Sequence, residues 1–132
     1  MAIAFLIARI ILGLYWLEAA YNHIFKSAGL VGYTQSKGVS SVGTAKAAVI
    51  GTGLLALFGG LSILLGVWTI YGITALVVFL IGVSFKIHAY WNVQDPGQKY
   101  MERINFQKNI ALAAAILAMA AISQPWVYSL GW

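Results

Sequence analysis

Four long apolar stretches, separated by shorter polar ones, dominate the chain. A helix needs about 20 apolar residues to cross the hydrocarbon of a bilayer. Four windows reach that length: 3–25, 47–67, 69–91 and 105–125. The pattern predicts an all-α integral membrane protein in which four transmembrane helices form a bundle, as a single domain over residues 1–132. Only a few residues near Trp68 join the second and third windows, which predicts a tight antiparallel hairpin there.

The segments between these windows carry turn-forming residues. Ser27–Lys46 is rich in glycine, serine and threonine and lacks a helical apolar period, so we expect a loop with at most a short interfacial turn. Asn92–Ile104 contains "QDPGQ", a strong turn signal. No positively charged region precedes the first apolar run, since Arg9 lies within it, and we therefore expect this segment in the mature protein rather than in a cleaved signal peptide.

Composition supports the membrane class. Hydrophobic residues make up 61% of the chain and charged residues only 8%, whereas a soluble globular protein carries about a quarter charged residues. The chain has no cysteine, which excludes disulfides, thiolate metal sites and cysteine nucleophiles.

Charge predicts an orientation. With four spans, the termini and the Trp68 turn share one face of the membrane and the two longer loops share the other. The net charge is +5, and the cationic residues at the loop face are Lys26, Lys37, Lys46, Lys86, Lys99, Arg103 and Lys108. The positive-inside rule places the longer loops in the cytoplasm and the termini outside, in the inner (cytoplasmic) membrane of a prokaryote. The expected partners are the lipid bilayer and other membrane subunits or further copies of the chain, and not nucleic acid.

Polar residues inside the apolar windows are the candidates for chemistry. A carboxylate inside a bilayer is costly and usually faces the bundle interior. At 100° per residue, Glu18 shares a face with Tyr15, Tyr21 and Asn22 and lies opposite Arg9. Arg9 therefore either snorkels to the outer face or pairs across helices.

The third and fourth windows carry polar stripes of their own. Ser84, His88 and Asn92 recur at i, i+4 and i+8, and Asn105 and Asn109 align at i, i+4. The topology brings these stripes to the end of the first helix, on the loop side. We predict a bundle-facing polar pocket formed by Glu18, Asn22, Ser84, His88, Asn92, Asn105 and Asn109.

Structural interpretations of the same residues stay open. Glu18 can bond to Asn22 and hold two helices together, His88 can bond to a loop carbonyl, and the asparagines can cap a helix start. The two histidines lie on different helices without HxxH or HxxxH spacing, so no metal site and no intrinsic cofactor is predicted.

Three parts of the chain resemble the DoxX family of small four-helix membrane proteins. They are the first helix, from Arg9–Gly13 to "EAAYNHIFK", the loop "GYTQSKGV" with the glycine-rich helix after it, and "FKIHAYWNVQDPGQKYMERINFQKNIALAAAIL" at Phe85–Leu117. The similarity spans nearly the whole chain. It implies a four-helix bundle and association with membrane oxidoreductases, because relatives that give the family its name are linked to thiosulfate:quinone oxidoreductase.

Two functions follow as hypotheses. In the first, the protein is a subunit, non-catalytic by itself, of a quinone-linked respiratory oxidoreductase, with bound quinone or lipid and with quinone-binding residues Tyr15, Tyr21, His88 and Trp91. In the second, it is a scaffold or assembly subunit of a larger membrane complex. Transport of a small solute is a weaker third hypothesis, because four helices leave little room for alternating access.

Overall fold

The computed structural model describes residues 1–131 as a helical protein, with no strand in that part of the chain. Five α-helices follow one another: α1 Ala2–Phe25, α2 Ser27–Ser36, α3 Val42–Leu65, α4 Thr69–Lys86 and α5 Pro96–Ala118. Short 3₁₀ turns follow α4 at Tyr90–Asn92 and α5 at Met119–Ala121. The helices α1, α3, α4 and α5 are long and apolar enough to span a membrane, which confirms the predicted all-α, four-span fold.

Two segments predicted as loops contain helix. Residues 27–36 form α2, which packs against α3 with Thr34 buried, so tertiary contact outweighs a weak local pattern. The motif "QDPGQ" begins α5, nine residues before the predicted start. Asp95 is the N-cap, its carboxylate accepting from the Gln98 N–H at 2.8 Å, and Pro96 occupies the first turn, where a missing N–H costs nothing.

The four long helices pack in the order α1, α3, α4, α5. Among residues 1–131, the backbones of α1 and α5 do not approach within 8 Å. The Cα atoms of α1 and α4 also stay more than 8 Å apart within residues 1–131, and side chains join these two helices: the Trp16 ring of α1 meets the Phe79 ring of α4 edge-on, with 5.4 Å between centroids. We call the end with Met1, the 66–68 turn and the C-terminal segment the terminal end, and the end with α2 and residues 87–95 the loop end. Which side of a membrane each end faces stays a prediction.

A close helix contact joins α1 to α3 through glycine. A Cβ on Gly13 would lie 2.6 Å from the Leu64 Cβ, and one on Gly60 would lie 2.9 Å from the Trp16 Cβ. Any larger side chain would push the two backbones apart, as in other closely packed membrane helices. This contact fixes which face of α1 is buried: Arg9, Gly13, Trp16 and Ala20.

Arg9 joins three segments at the terminal end. Its side chain is fully buried, and its guanidinium donates to the carbonyls of Ile63 at 3.1 Å, Leu64 at 3.1 Å and Val127 at 2.7 Å. The last carbonyls of a helix have no partner within the helix, so Arg9 satisfies the end of α3 and fastens the C-terminal segment to it. Gly66 ends α3 at a φ of 72°, where a side chain would also collide with the guanidinium. Of the two possibilities left open for Arg9, the structure has it bonded across helices.

Candidate functional site

Glu102 is the buried carboxylate at the loop end. It lies in the second turn of α5 and is 5% exposed. The early start of α5 places it on the same helix face as Asn105 and Asn109, three and seven residues further on. An ionisable side chain buried to this degree needs partners, because an isolated charge in an apolar surrounding is very costly.

Three side chains from two other segments donate to this carboxylate. Lys37 Nζ lies 2.5 Å from Oε1, His88 Nδ1 lies 2.7 Å from Oε2, and the Tyr33 hydroxyl donates to Oε1. The helix α2 supplies Tyr33, its C-cap residue is Lys37, and the stretch after α4 supplies His88. We call Tyr33, Lys37, His88 and Glu102 the Glu102 site. It ties α2 and the end of α4 to α5.

Burial, reinforced by the hydrogen bond to Glu102 and by the charge of that carboxylate, raises the pKa of Tyr33. The phenol therefore stays protonated and remains a donor over the whole physiological range. Lys37 Nζ also lies 5.0 Å from the centre of the Tyr33 ring, in cation–π range. Hydrogen bonds between charged groups at such short distances are the strong ones.

His88 has a free side. Because an ionised carboxylate can only accept, His88 is the donor in its bond to Glu102, which assigns a proton to Nδ1 of His88. In the neutral ring Nε2 is then an acceptor, and in the imidazolium it is a donor. In the described part of the chain Nε2 has no hydrogen-bond partner, so it is available to a ligand.

Four aromatic rings pack against one another at the loop end and form the aromatic cluster: Phe85, Tyr90, Trp91 and Phe106. Neighbouring ring centres are 5.2–6.0 Å apart, mostly edge to face, as aromatic side chains prefer. Phe85 is 56% and Trp91 46% exposed. The cluster therefore reaches the outer surface of the bundle.

A polar cleft of about 400 Å³ opens at Lys37. Its lining residues are Ser36, Lys37, Lys86, Ile87, Ala89, Asn92, Val93, Gln94, Asp95 and Gln98. Lys37 thus connects the Glu102 site to a polar opening at the loop end.

The predicted inward orientation of Glu18 is wrong. Glu18 is exposed, as are Tyr15 and Tyr21, and in residues 1–131 no hydrogen bond or ion pair involves its carboxylate. At 100° per residue it lies diametrically opposite the centre of the buried face of α1. The reason is that close approach at Gly13 and Gly60, rather than the polar stripe, decides which face of α1 is buried.

The other predicted pocket residues are dispersed. Ser84 is fully buried, but its hydroxyl donates to the Leu80 carbonyl of its own helix at 2.7 Å. Asn22 and Asn109 are half-buried, and Asn92 is exposed on the rim of the polar cleft. Of the predicted set, His88 belongs to the Glu102 site and Trp91 to the aromatic cluster. A role of any of them in quinone binding stays a prediction.

Two further polar residues have structural partners. Asn105 accepts from Lys108 Nζ at 3.3 Å on the surface of α5. The other histidine, His23, lies with Nδ1 3.0 Å from Thr52 Oγ1 and 3.2 Å from the Val49 carbonyl, and so joins α1 to α3. Within residues 1–131 no group of three or more histidine and acidic side chains is placed to hold a metal ion.

Sequence reasoning missed Glu102, Tyr33 and Lys37. The signal for Glu102 was present: an N-cap aspartate, a proline and a glutamine three residues after the cap mark a helix start at residue 95. Extending the Asn105–Asn109 stripe back by three residues then gives Glu102. Tyr33 lies in α2, whose helical pattern is weak, and Lys37 is the C-cap residue of that helix, so no comparable signal marks either of them.

The family model described as DoxX matches residues 4–89, more than half of the chain. The match includes Tyr33, Lys37 and His88, while Glu102 lies beyond it. Comparison with curated proteins and with solved structures gives no match.

Proposed function

The chain belongs to the DoxX family, and we propose that it is a small membrane subunit that binds a quinone headgroup beside His88 and serves a quinone-linked oxidoreductase. The observation that carries this proposal is the His88–Glu102 pair. Nε2 of His88 has no hydrogen-bond partner within residues 1–131, and the chain on either side of His88 supplies three rings of the aromatic cluster, Phe85, Tyr90 and Trp91.

The pair offers the hydrogen bonding that a quinone needs. The oxidised headgroup has carbonyl acceptors, and the reduced one has hydroxyl donors, so a binding group must be able to serve both. Nε2 of His88 donates as the imidazolium and accepts as the neutral ring. Glu102 accepts from Nδ1 at 2.7 Å and so fixes the orientation of the ring, which leaves Nε2 to make the hydrogen bond with the headgroup.

The aromatic cluster suits the apolar part of the ligand. Trp91 and Phe85 expose ring faces and edges on the bundle surface, and flat aromatic surfaces pack well against another planar ring. A long apolar tail attached to the headgroup would stay among the acyl chains, because these rings lie on the outside of the bundle.

The cleft supplies a route for protons. Lys37 contacts Glu102 and also lines the polar cleft, so it connects the buried carboxylate to the loop end. Reduction of a quinone to its quinol would take up two electrons and two protons. We propose that the electrons are exchanged with a partner oxidoreductase, and that this chain contributes binding and proton transfer.

The experiment is quinone retention. The protein and its variants are purified in mild detergent and extracted with organic solvent, and quinone per protein is measured. We expect His88→Gln and Trp91→Leu to lose most of the retained quinone, with Glu18→Gln as the matched control at a polar residue outside the site. Equal quinone content in all four proteins, each shown to be folded by circular dichroism, would contradict the proposal.

A scaffold role is the second candidate, and one observation favours it. The membrane-spanning windows of α1 and α5 are only 17% buried, against 39% for α3 and 33% for α4. Native mass spectrometry from mild detergent distinguishes the two functions. A stoichiometric protein partner that is retained in the wild type and in His88→Gln, with no quinone in either, would favour the scaffold.

A further inference from the structure

One flank of α5 carries two cations followed by apolar residues. Its members are Lys99, Arg103, Phe106, Ile110 and Leu117. At 100° per residue they lie within an arc of about 60°, so they line one side of the helix from the loop end towards the terminal end. We call these five residues the α5 stripe.

The two cations of the α5 stripe lack a partner. Lys99 and Arg103 are both exposed, and within residues 1–131 neither forms an ion pair. They are the only two cations of the chain that are three or four residues apart, the spacing at which side chains meet on a helix. Asp95 lies one turn before Lys99, but its carboxylate accepts from the Gln98 N–H. The pair is therefore a local excess of positive charge.

The surface of the loop end has the same sign. Besides the pair on α5 it exposes Lys26, Lys46 and Lys86, whereas the carboxylate of Glu102 is buried and is paired with Lys37. Positive charge next to a membrane attracts anionic lipid. The charge of the loop end therefore favours an anionic lipid as the molecule that covers the α5 stripe.

The depth of the two cations suits a lipid phosphate. The span Pro96–Ala121 has 26 residues, about 39 Å at 1.5 Å per residue, whereas the hydrocarbon of a bilayer is about 30 Å thick. The first turns of α5 therefore extend into the headgroup layer, which long cationic side chains also reach by snorkelling. Phe106 and the apolar residues after it follow at hydrocarbon depth. Because Phe106 packs against Phe85 with 5.2 Å between ring centres, the stripe borders α4.

We propose that an anionic phospholipid binds along the α5 stripe, with its phosphate between Lys99 and Arg103 and an acyl chain along the apolar members. The planar fork of arginine holds two phosphate oxygens, and lysine adds a point charge. An acidic protein segment would match only the cations. A phospholipid matches both parts of the stripe in the order in which they occur. The site uses neither His88 nor Glu102, so it does not rest on quinone binding.

Native mass spectrometry with added lipid tests this proposal. Delipidated protein in mild detergent is titrated with phosphatidylglycerol or with phosphatidylcholine, whose headgroup has no net charge. The double variant Lys99→Gln/Arg103→Gln is compared with Lys26→Gln/Lys46→Gln, which removes two exposed cations of the loop end away from α5. We expect the dissociation constant for phosphatidylglycerol to rise by at least about tenfold in the first variant. It should stay near the wild-type value in the second, and phosphatidylcholine should bind more weakly than phosphatidylglycerol to the wild type.

The controls separate a site from general attraction to charge. All four substituted residues are exposed, so both variants should fold, and circular dichroism checks this. Equal affinities in the three proteins, or equal losses in the two variants, would overturn the site. Phosphatidylcholine that binds the wild type as tightly as phosphatidylglycerol would overturn the choice of an anionic lipid.

The apolar members are tested by competition. Glycerol phosphate carries the phosphate without acyl chains, and it should not displace phosphatidylglycerol when the two are present at equal concentration. Displacement would overturn the contact with an acyl chain. A protein retained in place of lipid, and lost only in Lys99→Gln/Arg103→Gln, would overturn the lipid as the occupant.

Discussion

Glu102 and Glu18 have opposite surroundings, although both belong to membrane-spanning helices. Glu102 is buried and receives hydrogen bonds from Tyr33, Lys37 and His88. Glu18 is exposed on the far side of α1 and receives none within residues 1–131. The difference shows that the surroundings of a membrane acid depend on which helix face the small residues bury. For α1 that face is set by Gly13, and Glu18 lies opposite to it.

The largest expected effect is a difference in stability between variants of the two acids. Glu102→Leu leaves Lys37, His88 and Tyr33 without their shared acceptor, so we expect the free energy of unfolding to fall by about 3 kcal/mol, as when one partner of a buried ion pair is removed. Glu18→Leu should leave the stability of the single chain unchanged or slightly raised. Denaturant titration of monomeric protein in detergent measures both. Equal losses in the two variants would contradict the comparison.

Arg9 extends the comparison to a buried cation whose partners are neutral. Arg9→Leu removes three hydrogen bonds and leaves the carbonyls of Ile63, Leu64 and Val127 unpaired, and we expect a loss of about 2–3 kcal/mol. Arg9→Lys should recover only part of it, because a single ammonium group cannot reproduce the guanidinium fork. Thermal unfolding in detergent gives the order of stability of the wild type, Arg9→Lys and Arg9→Leu. Full stability in Arg9→Leu would show that the C-terminal segment is held by other contacts.

A change at Tyr33 tests how much one of the three donors to Glu102 contributes to stability. Tyr33→Phe removes one of three hydrogen bonds while keeping the ring over which Lys37 lies, so we expect a loss of about 1 kcal/mol. Tyr21→Phe, at an exposed phenol of the same chemistry, is the matched control and should cost nothing measurable. The two variants are compared by denaturant titration. If both cost the same, the hydrogen bond to Glu102 contributes nothing.

The smallest effect concerns alkaline pH. Because the pKa of Tyr33 is raised in the folded protein, the unfolded chain loses the phenolic proton first. Stability should therefore be complete below about pH 10, the ordinary tyrosine value, and should decline as the pH rises above it. Tyr33→Phe should remove this part of the decline. Unfolding curves of wild type and variant between neutral and alkaline pH would show it, and identical slopes would contradict it.

The membrane-spanning helices were predictable because long apolar runs carry their own signal. The hairpin at Trp68 followed from the short distance between two such runs, and Gly66 and Ser62 close it: the Ser62 hydroxyl donates to the Val67 carbonyl at 2.6 Å. Which face of α1 is buried could not be predicted from polarity alone. In lipid the outer surface of a helix is apolar as well, so polarity does not separate the buried face from the exposed face as it does in water. The close contact at Gly60 decides instead which face of α1 is buried.

The candidate site was predictable in part. His88 was identified from its stripe on the third window, and Glu102 could have been found from the helix start at Asp95. Tyr33 and Lys37 could not, because α2 is short and polar and is placed by packing on α3. The Glu102 site joins residues up to 69 positions apart, and pairing over such distances depends on the folded arrangement of several helices.

A double-mutant cycle tests the central claim most directly. The free energies of unfolding of Glu102→Gln, Lys37→Met and the double variant are measured, together with Glu18→Gln alone and combined with Lys37→Met. We predict that the Glu102–Lys37 double variant loses less stability than the sum of its single variants, by about 1–3 kcal/mol, as expected for residues in contact. The Glu18–Lys37 pair should be additive. Additivity for Glu102 together with coupling for Glu18 would contradict the account.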